Sequence, residues 1–487
     1  MPDLTKIHYR IIIKVMGVFL MIIAIMMWLG LIFSYVYNEP DKQALILSGV
    51  ITFISGFVLF TFNKKVDYEL INKRDGFVIV SLTWVVISLF GTLPFLLSGT
   101  IDNFTDAFFE TMSGFTTTGS SVITDVEVVS KGILYWRSMT QWIGGMGIIV
   151  LSLAIMPILG IGGMQLFIAE MPGPTKDKLH PRITETAKRL WGIYVMLTFI
   201  QFLLLMAGGM NIFESVCHSF TTMASGGFST RNDSVVSFSP YIQYVITIFM
   251  LLTGISFVLH YYTLQFRLKK VWESEELKTY LAIIGGATLF IMVLLLLTTS
   301  NKPEAAFRDA LFQTVSIVTT TGFMSSDYMF WQPFLWFFIL MLMFTGGCAG
   351  STAGGIKIVR HLILFKNSRL ELRRLIHPNA IIPVKLNGKA IPESAIYNVL
   401  AFFIIYILIF VFSSLFMTII GLDFETAIGS VASSLGNVGP GLKNTGPALN
   451  YAFIPVSGKW LLAVLMLLGR LELFTVLALI SKAFWRF

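Results

Sequence analysis

Four short segments rich in threonine, serine and glycine carry the residues of this sequence best suited to binding an ion. They end in Thr116-Thr117-Thr118-Gly119, Ala224-Ser225-Gly226-Gly227, Thr319-Thr320-Thr321-Gly322 and Gly436-Asn437-Val438-Gly439. Aligned on their last glycines, they share a hydroxyl side chain six residues earlier: Ser113, Thr221, Ser316 and Ser433. They also share an apolar residue fifteen positions earlier, at Phe104, Ile212, Phe307 and Phe424. Such agreement at four places indicates an internal repeat of roughly 100 residues.

Each segment resembles a helix that is too short to cross a membrane. A polar residue stands thirteen positions before each glycine, at Asp106, Glu214, Asp309 and Thr426, the last preceded by Glu425. At the start of each helix, an acid would be stabilised by the positive end of the helix dipole. Irregular backbone at membrane depth is tolerated only where it is buried in protein or lines a polar cavity. We therefore expect the four loops to meet around something polar.

Rings of backbone carbonyls can replace the hydration shell of K⁺, and glycine allows backbone conformations that are closed to residues with a Cβ. The sixteen loop residues named above are thus the predicted K⁺-binding selectivity filter. K⁺ would be the transported ion, and we expect no bound cofactor. Ser113, Thr221, Ser316 and Ser433 are expected to support the filter through local hydrogen bonds.

The chain as a whole has the composition of a membrane protein. Of its 487 residues, 55% are hydrophobic and 13% are charged, and the mean hydropathy is +0.78. Apolar runs long enough to cross a bilayer lie near 11–36, 44–62, 77–98, 135–160, 190–208, 241–264, 280–298, 333–356, 395–420 and 459–484. We predict an all-α polytopic protein with ten transmembrane helices, the first retained rather than cleaved.

The formal charge of +8 follows from membrane topology. Basic residues concentrate in loops 64–74, 176–189, 267–278 and 357–389, all of which lie on one side if both termini are cytoplasmic. The charge therefore gives no reason to expect a nucleic-acid partner. Two isolated cysteines, Cys217 and Cys348, provide neither a disulfide framework nor a metal cluster.

The sequence resembles the superfamily of bacterial Trk/Ktr and plant high-affinity potassium transporters, in its Trk branch. Besides the four loops, the resemblance rests on Gly254-Ile255-Ser256-Phe257, on the Gly-rich stretch from Gly346 to Lys357, and on Gly469-Arg470-Leu471-Glu472-Leu473. It implies four helix–pore-helix–helix units around a pseudo-fourfold axis, preceded by a helix pair. The expected divisions are 1–75 for the helix pair and 76–170, 171–270, 271–390 and 391–487 for the four repeats.

The resemblance also implies how such a pore is controlled. Gly346, Gly347, Gly350, Gly354 and Gly355 would form an intramembrane gate, with Arg470 beside it. Five glycines in ten residues also disfavour a helix on their own, at about 1 kcal/mol each. Implied partners are a second copy of the chain and a cytosolic ring protein that binds a nucleotide, NAD or ATP, and docks on basic loops 172–189 and 357–389. Gly119, where sodium-preferring plant relatives have serine, favours K⁺.

The sequence leaves two other classes of function open, a solute symporter and a membrane-embedded enzyme. A cation-coupled solute symporter also uses repeats and broken helices, although its repeats are typically inverted, whereas these four share one orientation. A membrane-embedded enzyme would need convergent catalytic side chains, and the six histidines are scattered. The expectation is therefore potassium uptake across a bacterial inner membrane, by a transporter rather than an enzyme, through channel-like flow or symport.

Overall fold

The computed structural model describes residues 7–62, 73–147, 183–299, 302–377 and 382–485. Its helices are, in chain order, α1 Tyr9–Leu29, α2 Leu31–Val36, α3 Lys42–Thr61, α4 Lys73–Gly91, α5 Leu93–Leu97, α6 Phe104–Phe115, α7 Lys131–Gly145, α8 Ile183–Ala207, α9 Ile212–Met223, α10 Pro240–Thr253, α11 Phe257–Leu264, α12 Leu268–Trp272, α13 Glu275–Thr298, α14 Pro303–Val318, α15 Pro333–Met343, α16 Ile358–Ile376, α17 Glu393–Ile419, α18 Phe424–Gly436, α19 Val456–Arg470, α20 Phe474–Ile480 and α21 Lys482–Trp485. Within these ranges the strands form one hairpin, β1 Lys385–Leu386 with β2 Lys389–Ala390.

Among the described residues, up to eight of the ten predicted membrane spans have a counterpart. Six are long and apolar enough to cross a bilayer: Tyr9–Val36, Lys42–Thr61, Arg74–Leu97, Ala187–Ala207, Glu275–Thr298 and Glu393–Ile419. Two bent helix pairs, α10 with α11 at 103° and α19 with α20 at 118°, add two spans if each pair is counted as one. The remaining two predicted runs contain α15, which is short, and α7, beyond which residues 148–182 lie outside the described ranges.

The two N-terminal spans pack closely along their length. A Cβ added to Gly17 of α1 would lie 2.6 Å from the carbonyl oxygen of Gly56 in α3, and one added to Gly56 would lie 2.6 Å from that of Gly17. Small residues at facing positions let two membrane helices approach until their backbones touch. α1 also packs against α4, which attaches the helix pair to the first repeat.

Four short helices, α6, α9, α14 and α18, follow the first span of each repeat. Three begin at a side-chain cap, in which Asn103, Asn211 and Asp423 accept hydrogen bonds from the backbone amides of Thr105, Glu214 and Thr426. Asp106, Glu214 and Glu425 then lie in the first turn, where the helix dipole favours an acid.

The third short helix departs from this prediction. α14 begins at Pro303, so Glu304 is the acid in its first turn and Asp309 lies well inside the helix. Proline at the first helical position is a common helix start, because its fixed φ suits the helix and its missing amide is not needed there. The expectation that Asp309 marks the start of its helix is wrong.

The polar stretch after the Gly-rich segment is more ordered than a loop. The sequence interpretation treated 357–389 as a basic loop, but 358–376 form α16 and 385–390 form the hairpin, with 378–381 outside the described ranges. Val359 and Ile363 of α16 share a small separate core with Val384, which precedes β1, and with Val399 of α17. That core packs α16 against the beginning of α17. The other predicted docking loop is 172–189, and its residues 172–182 lie outside the described ranges.

Candidate functional site

The four loops close into a ring in chain order. A Cβ added to Gly119 would lie 2.2 Å from the carbonyl oxygen of Gly226 in the second loop, and one on Gly227 would lie 1.9 Å from that of Thr321 in the third. One on Gly322 would lie 2.1 Å from the oxygen of Val438 in the fourth. One on Gly439 would lie 2.7 Å from the oxygen of Thr118, back in the first. Each glycine therefore leaves room for the carbonyl of the next loop, and any larger residue would force two loops apart.

The backbone of the loops follows a common course. The four glycines have φ of 88°, 76°, 80° and 101°, in the left-handed region. Two residues before each glycine, Thr117, Ser225, Thr320 and Asn437 also have positive φ, between 54° and 56°. Left-handed backbone is unusual for threonine, because its Cβ is branched. Two such turns in three residues give each segment its irregular path after the short helix ends.

Threonine hydroxyls stabilise the first and third loops from within. Thr116 Oγ1 lies 2.8 Å from Thr118 Oγ1, and Thr319 Oγ1 lies 2.9 Å from Thr321 Oγ1. Thr116 and Thr319 also donate to the backbone carbonyls of Met112 and Val315, one helical turn earlier. The second and fourth loops lack this pair of hydroxyls, because Ala224, Gly226, Gly436 and Val438 occupy those positions.

The fourth loop is instead fixed by side chains around Gly439. The carbonyl oxygen of Gly439 accepts hydrogen bonds from Ser433 Oγ at 2.6 Å, Tyr451 Oη at 2.8 Å and Ser120 Oγ at 3.0 Å. Three donors saturate this oxygen. Gly439 therefore contributes the space left by its missing side chain, rather than a free carbonyl.

The four hydroxyls predicted to support the filter act unequally. Ser316 Oγ donates to the carbonyl of Phe323, and Ser433 Oγ to that of Gly439, so both stabilise loop backbone. Thr221 Oγ1 donates to Cys217, within its own helix. Ser113 Oγ is buried and has no hydrogen-bond partner among the described residues. Two of the four thus support the loops, as predicted.

A buried ion pair joins the first two loops above the ring. Arg137 of α7 donates from Nε to Glu110 Oε1 at 2.7 Å, and both side chains are almost fully buried. Glu110 also accepts from the amide of Val122, and Arg137 donates to the carbonyl of Ser229. Glu110 is buried because it lies inside α6, four residues after Asp106, on the side covered by α7.

The Gly-rich segment interrupts its helix as predicted. α15 ends at Met343 and α16 begins at Ile358. Between them the chain folds back on itself, with the amide of Gly346 donating to Ile356 and that of Ile358 to Gly347. Cys348 N donates to Gly254 O at 2.8 Å. Residues 344–357 are called the intramembrane loop below.

The intramembrane loop contacts three of the four filter loops. The amide of Gly354 donates to Thr320 Oγ1 at 2.6 Å, and Thr352 Oγ1 lies 3.0 Å from Ser225 Oγ. A Cβ added to Gly354 would lie 2.7 Å from the carbonyl oxygen of Gly436. The left-handed residues of the second and third loops therefore direct their hydroxyls at this loop, which lies against the end of the ring where the short helices finish.

Arg470 completes the contact with the first loop. Its Nη1 donates to Thr117 Oγ1 at 3.1 Å and to the carbonyl of Thr352 at 2.8 Å, and its Nη2 donates to the carbonyls of Gly144 and Gly145. Glu472, two residues later, pairs with Arg360 of α16. Arg470 and Glu472, two residues apart, therefore have different partners.

Glycines also lie where the described second helix of every repeat ends. α7 ends at Gly145, α10 at Thr253 before Gly254, α15 shortly before Gly346, and α19 at Arg470 after Gly469. Added Cβ atoms on Gly144 and Gly469 would lie 1.9 Å from Phe115 O and 2.2 Å from Leu435 O. The sequence carries this signal as a second set of glycines about 25 residues after the first. From the sequence, only the third and fourth repeats of this set were related to the gate.

Comparisons with known proteins agree with this architecture. A family model described as TrkH, cation transport protein, matches residues 41–486. The chain is 41% identical to the Trk system potassium uptake protein TrkH of Halomonas elongata, over 98% of this chain and 99% of that one. It is 42% identical to the protein of the same name from Escherichia coli strain K12, over 98% and 100%. The crystal structure of the potassium transporter TrkH from Vibrio parahaemolyticus superimposes with a TM-score of 0.88 at 38% identity, covering 99% of this chain and 100% of that one.

Proposed function

The chain belongs to the TrkH family of cation transport proteins, and we propose that it takes up potassium ions through the ring of four loops. The fold is that of a multi-pass membrane protein with four helix–pore-loop–helix repeats, and the family is one of transporters rather than enzymes. Potassium is the transported ion of the relatives, by their names.

The cyclic packing of the loops is the observation that carries the proposal. Each of Gly119, Gly227, Gly322 and Gly439 lies against the carbonyl of the next loop, so four loops from one chain enclose one axis. The loops Thr116–Gly119, Ala224–Gly227, Thr319–Gly322 and Gly436–Gly439 supply backbone oxygens around that axis, apart from the oxygen of Gly439, which has three donors. Carbonyl oxygens in a ring suit a monovalent cation stripped of water.

The intramembrane loop is the proposed gate. Its contacts with Ser225 and Thr320, and the contact of Arg470 with Thr352, would keep it below the filter in the resting state. A cytosolic nucleotide-binding ring protein would open the gate by acting on α16, which continues directly from the loop. We also propose a homodimer in a bacterial inner membrane, with both chain ends in the cytoplasm and the divisions 1–75, 76–170, 171–270, 271–390 and 391–487.

Tracer flux into liposomes tests the proposal. The purified protein should take up ⁸⁶Rb⁺, and external K⁺ should suppress the uptake more strongly than Na⁺ does. Gly119→Ser should reduce this preference, because the added side chain would press against Gly226. Gly192→Ser in α8 is the matched control, since a Cβ there meets nothing within 4 Å.

Deleting residues 346–355 tests the gate in the same liposomes. The deletion should raise uptake in the absence of any partner protein, and unchanged uptake would contradict a gate in this loop. If neither the wild type nor the deletion variant took up ⁸⁶Rb⁺, the proposed pore itself would be overturned. That result would favour the cation-coupled solute symporter.

A further inference from the structure

We propose that Gln141 of α7 is a positioning residue for ion selectivity, because its side chain fixes the second filter loop where no threonine pair does so. The inference rests on the proposed function, since it gives a part in ion discrimination to a side chain outside the four loops. It starts from a difference between the loops.

The second loop has the least internal support. In the first and third loops, hydroxyls three and one residues before the glycine lie within hydrogen-bond distance of each other, at 2.8 and 2.9 Å. The equivalent positions in the second loop are Ala224 and Gly226, neither of which has a polar side chain. Two consecutive glycines also give Gly226-Gly227 more backbone freedom than any other pair in the ring.

Gln141 supplies the missing support from outside the loop. Its Nε2 donates to the carbonyl of Gly226 at 2.6 Å, and its Oε1 accepts from the amide of Phe228 at 3.1 Å. The side chain is fully buried. Because one end must donate and the other must accept, these two contacts fix the orientation of the carboxamide. Gln141 therefore holds the backbone on both sides of Gly227.

The contact with Gln141 leaves no room for a side chain at position 226. A Cβ added to Gly226 would lie 2.4 Å from Cδ of Gln141 and 2.5 Å from its Oε1. The same carbonyl of Gly226 is the one against which Gly119 packs. Gln141 thus acts at the junction of the first and second loops and sets the position of an oxygen at that junction.

Arg137 extends the support along the same face of α7. It lies one helical turn before Gln141, on the same side of the helix, and donates to the carbonyl of Ser229 at 3.0 Å. Its guanidinium also lies 3.5 Å from the ring centre of Phe228. Two side chains of the first repeat therefore hold residues 226–229 of the second.

The test replaces Gln141 by methionine, which keeps the length of the side chain and removes its hydrogen bonds. In the flux assay the K⁺/Na⁺ preference of Gln141→Met should fall roughly fivefold. A change of this size in the relative binding of the two ions is about what one hydrogen bond contributes. Gln243→Met is the matched control. Gln243 is also buried in a second helix, and its amide donates to the loop carbonyls of Val235, Val236 and Phe238, none of which belongs to the ring.

Two further variants separate positioning from mere loss of stability. Gly226→Ala should also lower the preference, because its Cβ collides with Gln141. Adding Gln141→Ala to Gly226→Ala should bring no further loss, since both changes act on one contact. Thermal unfolding should shift to a similar extent in Gln141→Met and Gln243→Met, whereas the ion preference should change only in the former.

The outcomes distinguish this inference from the proposed function. A selective wild type with an unchanged preference in Gln141→Met, or an equal loss in Gln243→Met, would overturn the role of Gln141 and leave the pore intact. A wild type that shows no preference for K⁺ would overturn the proposed function, and the role of Gln141 with it.

Discussion

Arg470 donates a hydrogen bond of 2.8 Å to the carbonyl oxygen of Thr352, so a cation of the fourth repeat holds the intramembrane loop of the third. The same guanidinium reaches Thr117 in the first filter loop and the carbonyls of Gly144 and Gly145. One side chain therefore connects the first, third and fourth repeats beneath the ring, where the breaks in the second helices bring them together.

Replacing Arg470 should open the pore more often. Arg470→Gln removes the charge and most of the donors to Thr352 and Thr117, and charged hydrogen bonds contribute about 1.5–3 kcal/mol each. We expect basal ⁸⁶Rb⁺ uptake to rise roughly tenfold in liposomes. Arg231→Gln, which breaks a partly exposed ion pair with Glu214, is the control and should leave uptake unchanged. Reduced uptake in Arg470→Gln at normal protein content would contradict a role in closing the pore.

The filter glycines should differ in their tolerance of alanine. An added Cβ would lie 1.9 Å from the neighbouring carbonyl at Gly227, 2.1 Å at Gly322, 2.2 Å at Gly119 and 2.7 Å at Gly439. We expect loss of K⁺ preference in all four alanine variants, greatest at Gly227 and smallest at Gly439. Gly285→Ala in α13, where nothing lies within 4 Å, should be neutral. A reversed order in competition assays would show that contacts between loops do not set the tolerance.

The ion pair between Glu110 and Arg137 should be essential for stability. Breaking a buried pair leaves one charge without its partner and costs about 3–5 kcal/mol, so Glu110→Gln should lower the midpoint of thermal unfolding markedly. Glu304→Gln breaks the partly exposed pair with Arg308, where the expected loss is below about 1 kcal/mol. Equal shifts for the two variants in a thermal melt in detergent would refute this distinction.

Glu276 should anchor the middle of the intramembrane loop to the start of α16. Its Oε1 accepts hydrogen bonds from the amide of Ala349 at 2.7 Å and from that of Val359 at 3.1 Å. Glu276→Ala should loosen the loop and raise basal uptake, whereas Glu276→Gln keeps an acceptor oxygen and should have a smaller effect. Hydrogen exchange of residues 344–360 provides the second measurement. Unchanged exchange in Glu276→Ala would contradict the anchor.

The main features of the pore could be predicted from the sequence, because the four loops share residue types at fixed spacings. The left-handed conformation of the residue two positions before each glycine could not be predicted. Asn437 gives a weak signal, since asparagine tolerates this conformation, but Thr117 and Thr320 give none, and their backbone is set by contacts with Arg470 and Gly354.

A long-range partner explains the burial of Glu110, which could be placed only once α7 was known to cover its face of α6. The position of Asp309 has a local cause, because Pro303 starts the helix six residues earlier, and this proline is a signal that the sequence does contain. Gln141 did carry a signal, an amide in the middle of an apolar span, which must find partners when it is buried. Which loop it contacts depends on how two repeats pack, and a single sequence does not contain that information.

The ring of loops follows the order of the chain. Each quarter therefore touches the quarter made just before it and the one made just after it, and the chain needs no crossing connection to close the circle. A channel assembled from four identical subunits repeats every substitution four times around its axis. Here a substitution alters one quadrant only, so the support of each loop can diverge separately, as the hydroxyl pairs of the first and third loops and the carboxamide of Gln141 at the second already have.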